Sequence, residues 1–210
     1  MTDWVTISAL ATAGGTLVLA AATFASVRSS NRSARATERA LLAGIRPVMV
    51  PSRPEDPPEK VGFADDHFVR VPGGQAVAEV ADGAIYFAIA LRNVGTGLAV
   101  LDRWDFRAER ATADTAFGNP ADYRRLTRDI YIAGGDLGFW QGALRDASDP
   151  AFAAARTAIA DRASMTIDLL YGDHEGGQRT VTRFALLPAG EDAWMAVASR
   201  HWNLDRSDPR

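Results

Sequence analysis

The sequence predicts a mainly β chain tethered by an N-terminal transmembrane helix, with a basic helical arm between the tether and the β domain. Three observations carry this reading. Trp4 to Val27 contains no Asp, Glu, Lys or Arg; arginines then recur at helical spacing; and beyond Pro47 short runs of alternating apolar and polar residues are separated by Gly and Pro.

At about 1.5 Å per residue, Trp4 to Val27 reaches about 36 Å as a helix, enough to cross a hydrocarbon core of about 30 Å with some tilt. Its apolarity rests on Val5, Ile7, Leu10, Leu17, Val18, Leu19, Phe24 and Val27 amid Ala, Thr and Ser. A cleaved signal peptide is the main alternative, because Ala22 to Ser26 are small, but a signal peptide needs a positive leading region and only Met1, Thr2 and Asp3 precede the run. A buried core helix of this uniform apolarity needs a larger surrounding core than one small domain supplies.

Arg28, Arg32, Arg35, Arg39 and Arg46 follow the span, offset only by Glu38. Positive flanks stay on the cytoplasmic side, so the N-terminus is expected outside and the body inside, at the cell membrane, with Trp4 in the outer aromatic belt. The spacing of Arg28, Arg32, Arg35 and Arg39 puts them on one helical face, where they either contact anionic headgroups or serve as a topology signal on a solvated helix. Gly44 and Pro47 mark the arm's end. The expected divisions are a transmembrane helix over 4–27, a basic juxtamembrane helix over 28–46, a β domain over 47–204 and a frayed polar tail over 205–210.

The 210 residues carry a net charge of −3 and no cysteine. Absence of Cys removes disulfides, thiolate catalysis and Cys-ligated zinc from consideration. The arm holds a net of +4 and Pro47 to Arg210 a net of −6. An acidic body argues against nucleic acid as partner and leaves membrane lipid and a protein as the expected ones.

Within the body, Pro47 to Val50 reads as a first strand, the Pro-rich Pro51 to Asp66 as a loop or hinge, and His67 to Pro72 as a short strand. Ala84 to Asn93 is the clearest strand, with Ile85, Phe87, Ile89 and Leu91 on one face. After Gly95 and Gly97 a second alternating run puts Val100, Asp102, Trp104 and Phe106 together, Leu101, Arg103, Asp105 and Arg107 opposite. The two make a hairpin or an inter-sheet corner. A short helix is expected in Ala121 to Thr127, and a strand in Asp129 to Ala133. Asp149 as cap and Pro150 at the first position open a helix through Ala163. Met165 to Tyr171 and Gln178 to Leu187 form a hairpin around Gly172 to Gly177, the return strand having an unclean register that signals a bulge. Trp194 to Trp202 is the last strand.

The strand end Asn93-Val94-Gly95-Thr96-Gly97-Leu98-Ala99 resembles the N-x-G-x-G-x-A corner of bacterial immunoglobulin-like β-sandwich domains. The span, arginine arm, Arg46 to Pro51, Gly172 to Phe184 and His201 to Arg206 together resemble a group of uncharacterised membrane-anchored bacterial proteins with one such domain. The resemblance implies an immunoglobulin-like β-sandwich with one inserted helix, and carries no catalytic residues.

Candidate chemistry is sparse. Asp173, His174 and Glu175 at a hairpin tip, with His201 within possible reach, combine carboxylates and imidazoles suited to a divalent metal or to acid–base work; a polar turn shaped by Gly172, Gly176 and Gly177 is the plainer reading. Asp65, Asp66 and His67 form a second small cluster in a solvated loop, without the spacing of a calcium loop. No phosphate loop, dinucleotide turn, G-x-S-x-G elbow or H-E-x-x-H pair occurs, so no cofactor is implied. Trp104, Trp140, Trp194 and Trp202 fit a sandwich core or a ligand groove, and Arg103 and Arg107 a solvated face or a docking rim. The expected function is a membrane-anchored, non-enzymatic binding or scaffolding module, with a membrane-tethered metal-dependent enzyme as the competitor.

Overall fold

The structure, a computed structural model, describes residues 3–112 and 114–206, with nothing assigned to the side chains of Val5 and Thr6. The chain divides into two compact units, Met1–Gly44 and Ile45–Arg210.

The first unit is one helix, α1 (Trp4–Gly44), of 41 residues, about 60 Å long. It is long and apolar enough to span a membrane. All its described side chains are exposed, Leu10, Leu17, Leu19 and Phe24 to about 70 %; in water that surface would have no reason to stay unburied. Its hydroxyls are satisfied internally, Thr12 donating to Ser8 O at 2.9 Å, Thr16 to Thr12 O at 2.9 Å and Thr23 to Leu19 O at 2.8 Å. These bonds lower the cost of placing Thr in hydrocarbon.

The second unit holds β1 (Met49–Pro51), β2 (Glu59–Gly62), β3 (Phe68–Val71), β4 (Gln75–Ala81), β5 (Ala84–Asn93), β6 (Ala99–Arg107), β7 (Arg124–Ile132), β8 (Leu137–Leu144), α2 (Pro150–Ala160), β9 (Met165–Gly172), β10 (Arg179–Ala189) and β11 (Ala193–Asn203). Among the described residues nine strands form one antiparallel sheet in the order β8-β5-β4-β11-β10-β9-β6-β7, with β1 extending the β4 side of β5; β2 and β3 make a separate ribbon. The two separate sheets of an immunoglobulin-like sandwich are therefore replaced by a single sheet curled as a half-barrel. Bulges drive the curl, because an extra residue on one strand increases local twist. The curl brings the end strands β7 and β8 near each other, where Arg128 donates to Gln141 Oε1 at 3.1 Å.

A shift between Leu101 and Arg103 reverses the parity of β6. Ala99 and Leu101 face inward on one side of it and Trp104 and Phe106 on the other, while Asp102 is exposed. The strict alternation expected for this run, with Val100 and Asp102 beside Trp104, is thus corrected at Asp102. The bulge anticipated in β10 lies instead on β11, where Ser199 is the extra residue opposite Arg183/Phe184, while β10 pairs with β9 without a shift.

β5 is buried on both faces, not one. Ile85, Phe87, Ile89 and Leu91 enter the main core; Tyr86, Ala88 and Ala90 lie beneath Val61, Phe63, Val69 and Val71 of the β2–β3 ribbon. The small Ala side chains let the ribbon approach, so part of the expected Pro51–Asp66 loop is strand. The expected helix in Ala121 to Thr127 is instead a turn over 121–123 followed by the start of β7, drawn into pairing by β6. The β5–β6 connection is a corner, since these strands pair with other neighbours.

α2 starts as expected but ends at Ala160, three residues before the expected Ala163. Asp149 caps it, accepting from Ala151 N at 2.8 Å, with Pro150 in the first turn. Phe152, Ala155 and Ala158 face the core. Arg162, at φ +52°, turns the chain away and lays its guanidinium over the Trp194 ring, 4.6 Å from its centroid.

Candidate functional site

Arg28, Arg32, Arg35 and Arg39 are all exposed along α1. Arg46 departs from this set. It lies beyond the helix, in the β unit, donating to Asn203 Oδ1 at 3.1 Å and binding both carboxylate oxygens of Asp205 at 2.9 and 2.5 Å. Asp205, assigned by sequence to a frayed tail, is held by this clamp; residues 207–210 lie outside the described part.

The corner after β5 is built around the buried side chain of Asn93. Its Oδ1 accepts from Val48 N at 3.1 Å and Gly95 N at 3.0 Å, and its Nδ2 donates to Gly97 O at 2.7 Å and Ile132 O at 3.0 Å. The glycines admit Ile45 to Val48 directly over the corner: a Cβ at Gly95 would sit 2.2 Å from Arg46 O, and one at Gly97 1.8 Å from Ile45 O. The N-x-G-x-G pattern is thus the seat of the first β-unit residues.

Nearby runs a polar chain. Met49 N–H donates to Tyr171 Oη at 3.1 Å, Tyr171 and Thr182 hydroxyls share a 2.9 Å bond, and Thr182 Oγ1 lies 2.7 Å from His201 Nδ1. Either hydroxyl can donate or accept; a chain running from Met49 N–H to His201 ends on an accepting Nδ1, which a neutral imidazole with its proton on Nε2 provides. Burial accordingly pushes the His201 pKa below its ordinary 6.5. The unfolded chain then binds this proton at higher pH than the folded chain, so stability is full above about pH 6.5 and falls as pH drops below it. A melting temperature that declines from pH 7 to pH 5, with a shallower decline in His201→Gln, is the expected result; equal slopes would contradict the assignment.

His201 is thereby committed to the strand interior. At the hairpin tip, Asp173 is buried and shapes the turn, its Oδ1 accepting from Gly177 N at 2.8 Å and its carbonyl from Gly176 N at 3.1 Å. His174 and Glu175 point to solvent, 59 % and 78 % exposed at the side chain. Among the described residues no three His, Cys, Asp or Glu side chains gather as a metal site. The second cluster is divided similarly. Asp65 accepts from Tyr86 Oη at 2.7 Å and Arg145 Nε at 2.9 Å, and the Arg145 and Tyr86 bonds hold its pKa down to about 2. His67 stacks on Tyr86 at 4.0 Å and meets Glu79 Oε1 at 2.6 Å, while Asp66 occupies a turn at φ +59°.

The strongest polar feature lies elsewhere, and sequence reasoning passed over it. Arg183 and Asp168 face each other across β9 and β10, each 1 % exposed, in a bidentate pair of 2.7 Å bonds. Arg183 also donates to Thr115 O at 2.7 Å and Thr112 O at 3.3 Å and stacks on Trp202 at 4.9 Å. It fastens the 108–123 loop to the sheet, helped by Arg103 on Ala121 O at 2.8 Å and Arg107 on Ala116 O at 3.4 Å. The readable signal was one of opposite charges in register on a predicted hairpin. Trp104, Trp140, Trp194 and Trp202 are all buried, so none lines an open groove as a whole side chain.

No family model matches the sequence, and no curated protein matches it. Among solved structures, a β-glucosidase from Kluyveromyces marxianus in complex with glucose matches at 12 % identity, over 61 % of this chain and 13 % of that one, with a TM-score of 0.19. This chain thus spans about an eighth of that protein, and the similarity carries no argument about fold or chemistry.

Proposed function

We propose that the chain is a single-pass membrane-anchored protein, N-terminus outside, whose cytoplasmic β unit is a non-enzymatic binding or scaffolding module for a protein partner. The observation that carries this reading is the pairing of an exposed apolar helix with a β unit whose buried ionisable groups are spent on its own architecture, Asp173 on a turn, His201 on Thr182 and Asp168 on Arg183, while His174 and Glu175 face solvent without converging on a third ligand. Arg28, Arg32, Arg35 and Arg39 are the proposed contacts to anionic headgroups, each contributing on the order of 1 kcal/mol. The proposed kinship with membrane-anchored immunoglobulin-like proteins rests on the corner Asn93 to Ala99 alone, the sheet itself being a curled half-barrel.

Capture from membranes with the full chain is expected to return a specific protein partner, retained by His174→Ala and Glu175→Ala. Stoichiometric metal in the purified protein, together with loss of phenotype in those two variants, would sink the reading in favour of a tethered metal enzyme.

A further inference from the structure

The β2–β3 ribbon covers β5 with one face and turns the other outward. Val61, Val69 and Val71 take the covered face, and Lys60, Phe68 and Arg70 the exposed one, as the period of two requires. Gly62, directly opposite Phe68, lets the ring lie across the ribbon, since a Cβ there would be 2.7 Å from it. Phe68 is 57 % exposed, with the Lys60 ammonium 4.8 Å from the ring centroid. Pro58, Lys60, Phe68, Val69 and Arg70 line an open hollow of about 430 Å³.

Lys60 and Arg70 are direct cross-strand partners. Like charges in that position repel, and neither forms an ion pair or hydrogen bond among the described residues. The acid on β2, Glu59, belongs with Val61 on the covered side. For folding alone the arrangement is costly, with two uncompensated cations and a ring that forgoes more than half of its burial. It also puts a doubly positive face on a stretch, Pro47 to Arg210, whose net charge is −6. Two cations beside an exposed aromatic ring suit a surface that is anionic above and apolar below. The cations meet phosphates and carboxylates, and the ring enters the boundary between headgroups and acyl chains. An anchored α1 keeps such a surface within reach, so contacts too weak to hold a free protein are populated by a tethered one.

We propose that the face of the ribbon bearing Lys60, Phe68 and Arg70 is a second lipid-contact site, docking the β unit on the anionic headgroups of the bilayer that α1 spans. This rests on the membrane-anchor part of the proposed function and adds a site within the β unit. Lys60 and Arg70 bind headgroup phosphate and carboxylate, and the Phe68 ring inserts beside them. The hollow falls within the range of small-molecule sites, about 300–1,000 Å³, which gives room for one headgroup between the two cations.

The test places a fluorescent reporter in the hollow. The sequence has no cysteine, so Pro58→Cys gives the full chain one thiol for an environment-sensitive nitrobenzoxadiazole label. The labelled chain is reconstituted in nanodiscs of phosphatidylcholine, with or without about one-third phosphatidylserine. Emission is expected to move to the blue only in the discs that contain phosphatidylserine. Lys60→Gln and Arg70→Gln, both exposed changes, should each lower the docked-to-undocked ratio by about fivefold, as loss of one charge near an anionic surface does. Glycerophosphoserine and acetylated triglutamate amide, added separately to phosphatidylcholine discs, should leave the emission unchanged. A label indifferent to phosphatidylserine, or a response that survives both substitutions, would overturn the site. So would the same response to the soluble headgroup or to the peptide, the peptide result putting an acidic protein on the ribbon instead. If the chain stays in the discs while the label is silent, the docking site falls and the anchor reading stands; a chain that elutes free of the discs removes both.

Discussion

Arg183→Met is expected to lower the stability of the β unit by about 3–5 kcal/mol, because it leaves the Asp168 carboxylate buried without its counter-charge. Asp168 is as buried as its partner and is held by the Nε and terminal NH₂ groups of that one guanidinium, with Arg107 only 3.8 Å away as a secondary charge. The same substitution frees the carbonyls of Thr112 and Thr115, so the loop over the β9–β10 face should loosen along with the sheet. Replacing both partners, Arg183→Met with Asp168→Leu, should recover much of the loss, since an apolar pair of similar volume removes the stranded charge. Urea melts of the single and double variants measure both quantities. A double variant as unstable as the sum of the two singles would show that the pair is not acting as a coupled unit.

Asn93→Ala should be nearly as damaging, at about 4 kcal/mol. Four bonds converge on one side chain, and its truncation strands Val48 N, Gly95 N, Gly97 O and Ile132 O in or near the core; each stranded group costs about 1–3 kcal/mol, less whatever water recovers. The loss should be specific in place. Hydrogen exchange is expected to rise first in Val48 to Val50 and in the Ala133–Asp136 turn, which the Asn93 backbone also holds through Asp136 O at 3.0 Å and Gly135 N at 2.9 Å. Uniform exchange across all strands would contradict the corner's role as a local hub. Gly97→Ala tests the same seat by steric means, because the added methyl meets the Ile45 backbone and not a movable side chain.

How much of this was legible depended on whether local periodicity survived to the final structure. α1, β5, α2, β9 and β10 carry strong local signals: an uncharged run, a clean alternation, an Asp-Pro cap, a glycine-bounded hairpin. β6 was found, but Val100 and Asp102 do not share the face of Trp104 and Phe106, because period two holds only until a bulge inserts a residue. β8, with Gly138 and Gly142 among its eight residues, lacks the β-branched alternation that marks a strand; its glycines answer to Ile132 and Trp104, contacts made across the curl. β2 was hidden in a Pro-rich stretch because what makes it a strand is the outer face of β5.

The candidate site shows the same division. Asp173, His174 and Glu175 were visible as composition, but adjacency along a turn sent one carboxylate inward and the other two side chains to solvent. Arg183, Asp168 and Gln141 gain their meaning from partners 13 to 15 positions away, Arg183 with Asp168 and Arg128 with Gln141, and from how the sheet curls. That curl came from bulges whose placement short-range patterns record only as a lapse in alternation.

Topology is the claim on which the proposed function turns, and a reporter fused to the C-terminus of the full chain measures it most directly. The charge asymmetry around α1 predicts activity from a cytoplasm-dependent reporter and none from a periplasm-dependent one, with Arg28, Arg32, Arg35 and Arg39 all changed to Gln weakening that preference. Activity of the periplasm-dependent fusion with silence of the cytoplasm-dependent one would contradict it, placing the β unit outside the cell and removing its proposed cytoplasmic partner.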